Sequence, residues 1–569
     1  MKFNMILGLH PVDLIVLIIF FIGITILGVW TVRGVKDLES FIMPKKFGKL
    51  FMLFFNFGTG THADQAVGVA AKSFTNGLSG IWYQWVWLFV SPFYWLIAPV
   101  MRRFRANTTA DIFEARFDRS VALLFAAVGV GLLMVDLGVM LKTAGVIMDG
   151  ATAGRVSSGW AIIIMTICFL IYGLAGGLSA AIVTDLVQGV LTIVFSFILL
   201  PFILHAVGGW DSLLTQLRPE QTSLVAPTEI GLFYILIVAF NALVGNITQP
   251  TVLANCAAGR TEMDGRVGYM GGSLVKRVCT IPWALTGLAA IAYFGTTPVE
   301  PDLVWGRVAN EFLPIMMPGL IGIFLAALFA STMSVCSALM IVASGLFTEN
   351  LYRRMVRQRS ERHYVQVARL ASFGIVVGGV IFAFVIPTVI KGIELLWIIP
   401  TMMGIAFWLG LFWRRATVAG AWAATVVGFV AWWITTQAFF VDYLAVSDMG
   451  QRLRFVSPRN GVSEIYLPWQ MLFYLGAGGL AGVLFSLFSR PTSEEKLDRF
   501  YELVSTPIVP GEIIRKPCEL PPEVRPRPMH KLIPLRNWMI PVPSAVSLAG
   551  FAVGWIFVSL LIMFVYWIA

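Results

Sequence analysis

The length of the uninterrupted apolar runs restricts this chain most. Residues 11–33 and 545–568 could each cross a bilayer as helix, because a hydrocarbon core about 30 Å thick needs roughly 20 apolar residues. About 14 such windows recur along the chain. They lie near 11–33, 48–71, 78–101, 120–146, 158–176, 179–206, 229–250, 270–296, 314–347, 366–389, 392–412, 416–438, 467–489 and 545–568. Of the 569 residues, 58% are hydrophobic and only 13% charged, where a soluble domain carries about a quarter. That leaves too little polar surface for a water-soluble fold, so an all-α polytopic membrane protein is expected. The first run exceeds the roughly 7–15 residues of a signal-peptide core and has no clear small-residue cleavage site, so it is expected to be retained.

The formal net charge of +10 could suggest nucleic acid, but its distribution does not. Lys and Arg gather in alternate loops: Lys36, Lys45 and Lys46; then Arg102, Arg103 and Arg105; later Arg353, Arg354 and Arg359, and the stretch 490–544. This is the positive-inside pattern. It puts the basic loops in the cytoplasm and, with an even number of spans, both termini outside. The five cysteines show neither paired nor metal-type spacing. The five histidines are scattered, and no nucleophile–base set or phosphate-binding loop stands out, so an enzyme and an ATP-driven pump are not expected. Residues 490–544 are rich in proline and charge and read as an irregular cytoplasmic linker.

Two apolar runs contain residues unsuited to lipid. One reads Phe57-Gly58-Thr59-Gly60-Thr61-His62-Ala63-Asp64-Gln65, the other Asn241 through Gly245, Asn246, Thr248 and Gln249 to Pro250. Unwound backbone at membrane depth survives only where it lines a protein cavity. Two such segments, five helices apart, suggest the halves of an inverted repeat; two harmless kinks would leave the same trace. His62 and Asp64 are open to a proton-coupling or gating role, histidine titrating near neutral pH, and equally to local hydrogen bonding. Asp136 and Asp185 are further acids within runs, where a carboxylate is costly and hence a functional candidate.

The chain resembles the sodium:solute symporter family from about residue 11 to 438. Tyr172, the pair Gly176-Gly177, then Thr184-Asp185 and Gln188 resemble the family signature. Phe324–Ser337, with Thr348–Tyr352, resembles its eighth core helix, and Phe412-Trp413-Arg414-Arg415-Ala416-Thr417 a junction that follows it. The resemblance implies a LeuT-type fold, a five-plus-five inverted repeat with an extra N-terminal helix and C-terminal helices. Residues 1–47 would hold the first helix and first loop, 48–206 the first repeat, 207–228 an extracellular loop and 229–412 the second repeat. Additional helices at 413–489, the loop 490–544 and a last helix at 545–569 would follow.

The resemblance also implies a sodium-coupled symporter working by alternating access on a small polar solute, in the cell membrane. Sodium would meet the carbonyls of Gly58 and Thr61, the carbonyl of Ser331 and the hydroxyl of Ser334, with Asp185 at a second site or exit route. The family usually has two adjacent hydroxyls where this chain has Ser334-Val335, while Ser331 stands where alanine is frequent. Likeness to sugar-transporting members places Gln65, Tyr83, Gln84, Trp87 and Asn241 at the central cavity, with Lys276 one position from a family lysine. Amides suit hydroxyl groups and aromatic rings stack on sugar faces, so sugar is preferred over carboxylates and amino acids. A proton-coupled or uncoupled transporter of the same fold, or a transport-derived sensor, is the alternative.

Overall fold

The computed structural model describes residues 7–31, 47–226, 230–356, 358–459, 462–509 and 511–569; the side chains of 24, 25, 27–31, 168 and 171–188 lie outside that description. Its principal helices are α1 (Pro11–Thr31), α2 (Lys49–Gly60), α3 (Ala63–Asn76), α4 (Ser91–Arg103), α5 (Arg119–Ala151) and α6 (Ser158–Ala206). Then come α7 (Leu232–Asn246), α8 (Pro250–Ala257), α9 (Gly272–Phe294), α10 (Leu320–Gly345), α11 (Glu361–Val385) and α12 (Val389–Phe412). The last are α13 (Val418–Thr435), α14 (Leu467–Phe488), α15 (Glu494–Ser505) and α16 (Ala545–Ile568).

Among the described residues, 10 helices are long and apolar enough to cross a membrane, or 11 with the bent pair α7–α8. The sequence suggests about 14 runs; of those outside the 10, 11–33 and 158–176 reach residues whose side chains are not described, and 229–250 belongs to the bent pair. The run 48–71 is cut into α2 and α3, and the runs 158–176 and 179–206 share the 49-residue α6.

Burial sorts the helices. Nearly every residue of α10 is buried, as expected of a helix that is apolar on all sides. It packs against α5 and α6, while α9 packs against α3 and α6, and α7 against α12. The outer helices show lipid-type surface instead: Leu370 on α11 and Trp567 on α16 are largely exposed. Asp13 on α1 is buried, and its Oδ1 accepts from the Gly322 N–H, 3.0 Å away in the first turn of α10, where a carboxylate meets the positive end of the helix.

The 490–544 stretch departs from an irregular linker. Its residues 494–505 form α15, whose Leu497, Phe500, Tyr501 and Val504 are buried at i, i+3, i+4 and i+7 spacing. That amphipathic stripe was hidden among the surrounding charges. Arg414 holds the helix through Glu494 and, at 2.6 Å, Asp498.

Candidate functional site

The site is built on two helix breaks. Helix α2 stops at Gly60; Thr61 and His62 are extended, and α3 begins at Ala63. A helix end leaves carbonyls without intrahelical donors. Here the Thr61 N–H donates to Gly58 O at 3.3 Å, His62 Nε2 lies 2.5 Å from Thr59 O, and the Lys276 ammonium donates to Gly60 O. Ser331 Oγ of α10 donates to Thr61 O at 3.3 Å. Gly58, Thr61 and Ser331 therefore meet around one break, and Ser334, buried, lies about one turn along α10 from Ser331. Asp185 falls on the part of α6 outside the described side chains.

The second break bends α7 against α8 by 73°. Pro250 opens α8 and has no N–H with which to continue α7. The break is held to α12: Thr248 Oγ1 donates to Pro400 O at 2.7 Å, Asn241 Nδ2 to Trp397 O at 3.0 Å, and Trp408 Nε1 to Val244 O at 3.2 Å.

Between the breaks lies a cavity. His62, Asp64, Gln65, Gln84, Trp87 and Lys276 line it, as the residue types suggested they could. Tyr83 and Asn241 stand behind its wall. Tyr83 donates to Ile390 O at 2.9 Å, and the Asn241 amide is held between Trp397 O and the Tyr474 hydroxyl, the latter at 2.5 Å. Asn241→Ala is thus expected to cost about 1–3 kcal/mol of stability, the penalty for orphaned buried partners. A thermal-unfolding series should show that loss, while KM for transported solute stays within about twofold; a large KM change with unaltered stability would put Asn241 in the cavity after all.

Two cavity residues escaped the sequence reading of the substrate site. Asp136 of α5 lines the cavity with one buried carboxylate oxygen lacking a hydrogen-bond partner, and it lies within electrostatic reach of His62 and Asp64. Arg277 lines it as well and is 2% exposed. Its signal was present: a second cation beside Lys276 inside an apolar run is a functional candidate in its own right.

With this geometry in place, the comparisons decide the family. A model of the sodium:solute symporter family matches residues 51–428, well over half of the chain. The chain belongs to the sodium:solute symporter family. It is therefore an integral membrane transporter of small solutes and not an enzyme. Similar curated proteins include the osmoregulated proline transporter OpuE of Bacillus subtilis, 26% identical over 74% of this chain and 88% of its own length. The sodium/pantothenate symporter of Escherichia coli is 24% identical over 68% of this chain and 82% of its length. Sodium/glucose cotransporter 4 of Danio rerio is 23% identical over 74% and 71%. Among solved structures, a sodium-coupled sialic acid symporter in an outward-open state aligns with a TM-score of 0.66 at 17% identity, covering 85% of this symporter and 99% of that chain. The nucleobase-cation-symport transporter Mhp1 aligns at 0.50 and 12% identity, over 81% and 99%. These likenesses agree with the LeuT-type inverted-repeat fold.

Proposed function

We infer that this transporter moves a small polar organic solute inward together with sodium, by alternating access around its two broken helices. The observation that carries this is the 3.3 Å contact of Ser331 Oγ with Thr61 O. It sets the carbonyl-rich end of α2 against the middle of the buried α10. A sodium ion needs several oxygens at short range, and the C-terminal pole of a helix favours a cation. The carbonyls of Gly58, Thr61 and Ser331 and the Ser334 hydroxyl would supply the ligands, with the Ser331 hydroxyl compensating for the one that Val335 lacks. Asp185 would serve a second site or the exit route. Residues 48–206 and 229–412 would form the two repeats that move around the cavity. The basic loops would face the cytoplasm and both termini the outside.

The test is uptake of labelled solutes into proteoliposomes with and without an inward sodium gradient. Ser334→Ala is expected to raise the half-saturating sodium concentration about tenfold, one ligand being lost. Sodium dependence unchanged by that substitution would refute the assigned site. A second reading has its own support: His62 Nδ1 lies 3.4 Å from Asp64 Oδ1, with Asp136 close by. Accumulation driven by a proton gradient in sodium-free medium would move the coupling to that cluster. For the solute, the amide of Gln65 and the ring of Trp87 support a polar organic molecule, sugar among them.

A further inference from the structure

Arg277 stands apart from the other cavity charges. Asp64 faces His62 at 3.4 Å and lies within reach of Lys276, and Asp136 acts on His62. Lys276 rests on Gly60 O. Arg277 has no ion-pair partner among the described residues. Its Nη1 is tethered to Gln84, 2.6 Å from the backbone oxygen and 3.1 Å from Oε1. Its Nε is buried with no hydrogen-bond partner. The Trp87 ring lies 5.9 Å from the guanidinium.

The chain itself shows what this edge of a guanidinium takes. Arg103 grips Glu262 through Nε and Nη2 at 2.8 and 2.9 Å, and Arg105 grips Glu512 through the same two atoms at 2.9 and 3.0 Å. In Arg277 the anchored Nη1 orients the plane and leaves that edge without its carboxylate. A buried guanidinium is costly without a counter-charge, and its fork matches a carboxylate better than any neutral hydroxyl. We propose that the transported solute is a small organic carboxylate, held at the cavity by the Nε–Nη2 edge of Arg277. The proposal rests on the symporter reading and narrows its solute from polar molecules in general, sugar included, to acids.

Gln65 sharpens the class. It is buried, lines the same cavity, and its Oε1 has no hydrogen-bond partner. An acceptor in that position suits a donor on the solute, so a hydroxy, amino or amide-bearing acid fits better than a plain fatty acid. Charge also links solute to ion. A carboxylate entering with one sodium leaves the charge of the closed cavity unchanged, so each favours the binding of the other, as coupling requires.

The test uses the purified full-length protein in sodium buffer. Thermal unfolding is followed with L-lactate, L-proline and pantothenate, each beside its neutral-head counterpart (lactamide, prolinamide, panthenol), and with D-glucose. Labelled forms of whichever compounds stabilise the protein are then taken through sodium-gradient uptake in proteoliposomes. At least one acid should stabilise the protein and be accumulated, with its counterpart at least about tenfold weaker. Arg277→Gln should raise KM for that acid about 10- to 100-fold, the range for a lost charged hydrogen bond, and Arg277→Lys should restore part of it. Because the acid-against-amide comparison uses the unaltered protein, it stands even where a variant folds poorly. Glucose or the counterparts binding as well as the acids, or no acid shifting the unfolding, would overturn the carboxylate assignment without touching symport. Carboxylate accumulation indifferent to sodium would support the assignment and sink sodium coupling instead.

Discussion

Arg105→Ala should cost this protein about 3–5 kcal/mol of stability, the usual effect of removing one partner from a buried ion pair. Arg105 and Glu512 are 0% and 3% exposed. The guanidinium donates twice to Glu512, at 2.9 and 3.0 Å, and once each to the carbonyls of Arg103, Thr506 and Pro507. Those five bonds use all five of its N–H donors. Beside it, Arg103 pairs with Glu262, whose Oε1 also accepts from the Ile508 N–H at 3.0 Å. Together they fasten the segment after α15 to the end of α4. Alanine would leave the Glu512 carboxylate buried with little compensation. Thermal unfolding in detergent measures the loss, and a double-mutant cycle with Glu512→Gln should give a coupling energy of about 1–3 kcal/mol. A loss below about 0.5 kcal/mol, typical of surface sites, would mean that the segment is not docked in solution.

Gly404→Val is expected to destabilise the protein by about 3 kcal/mol or more and to abolish transport at temperatures where the unaltered protein is active. Gly404 of α12 faces the backbone of α7 at its break. A Cβ there would lie 2.8 Å from the Val244 carbonyl carbon and closer still to its oxygen. Backbone cannot yield as a flexible side chain can, so α12 would have to move away. That would strain the bonds from Thr248 to Pro400 O and from Trp408 to Val244 O. Gly245, across the seam, is as confined: its Cβ would lie 3.0 Å from the Thr401 backbone nitrogen. Normal unfolding and uptake of Gly404→Val would show that the seam opens freely and that the second break is not held by α12.

How much of this could be read from residues alone depends on the range of the force involved. The apolar runs identify the membrane class because burial of a 20-residue stretch is a local property of composition. The segments around Gly58 and Gly60 and before Pro250 mark the two helix breaks for the same kind of reason, since glycine weakens a helix and proline removes a donor wherever it sits. The short stripe of α15 follows a helical period, yet proline and charge around it conceal the signal.

The cavity was only half legible. Gln65, Gln84, Trp87 and Lys276 were chosen by type and resemblance, and they line it. Asn241 and Tyr83 share that polar character, but their hydrogen-bonding groups are taken by Trp397 O, Tyr474 and Ile390 O. Which polar side chain faces the cavity and which is consumed in packing depends on partners about 160 to 310 positions away. Arg277 shows the same limit from the other side. Its presence in an apolar run is plain from the sequence, whereas its lack of a carboxylate partner is a fact about three-dimensional neighbours.

The sequence by itself therefore determined the solvent this protein folds in, the family it belongs to and the two places where its helices break, because each follows from residues adjacent in the chain. Only the tertiary structure decided which polar groups remain free around those breaks. A side chain's hydrogen bonds and counter-charges are made across helices, and no local pattern specifies whether a distant donor or acid will arrive to satisfy it.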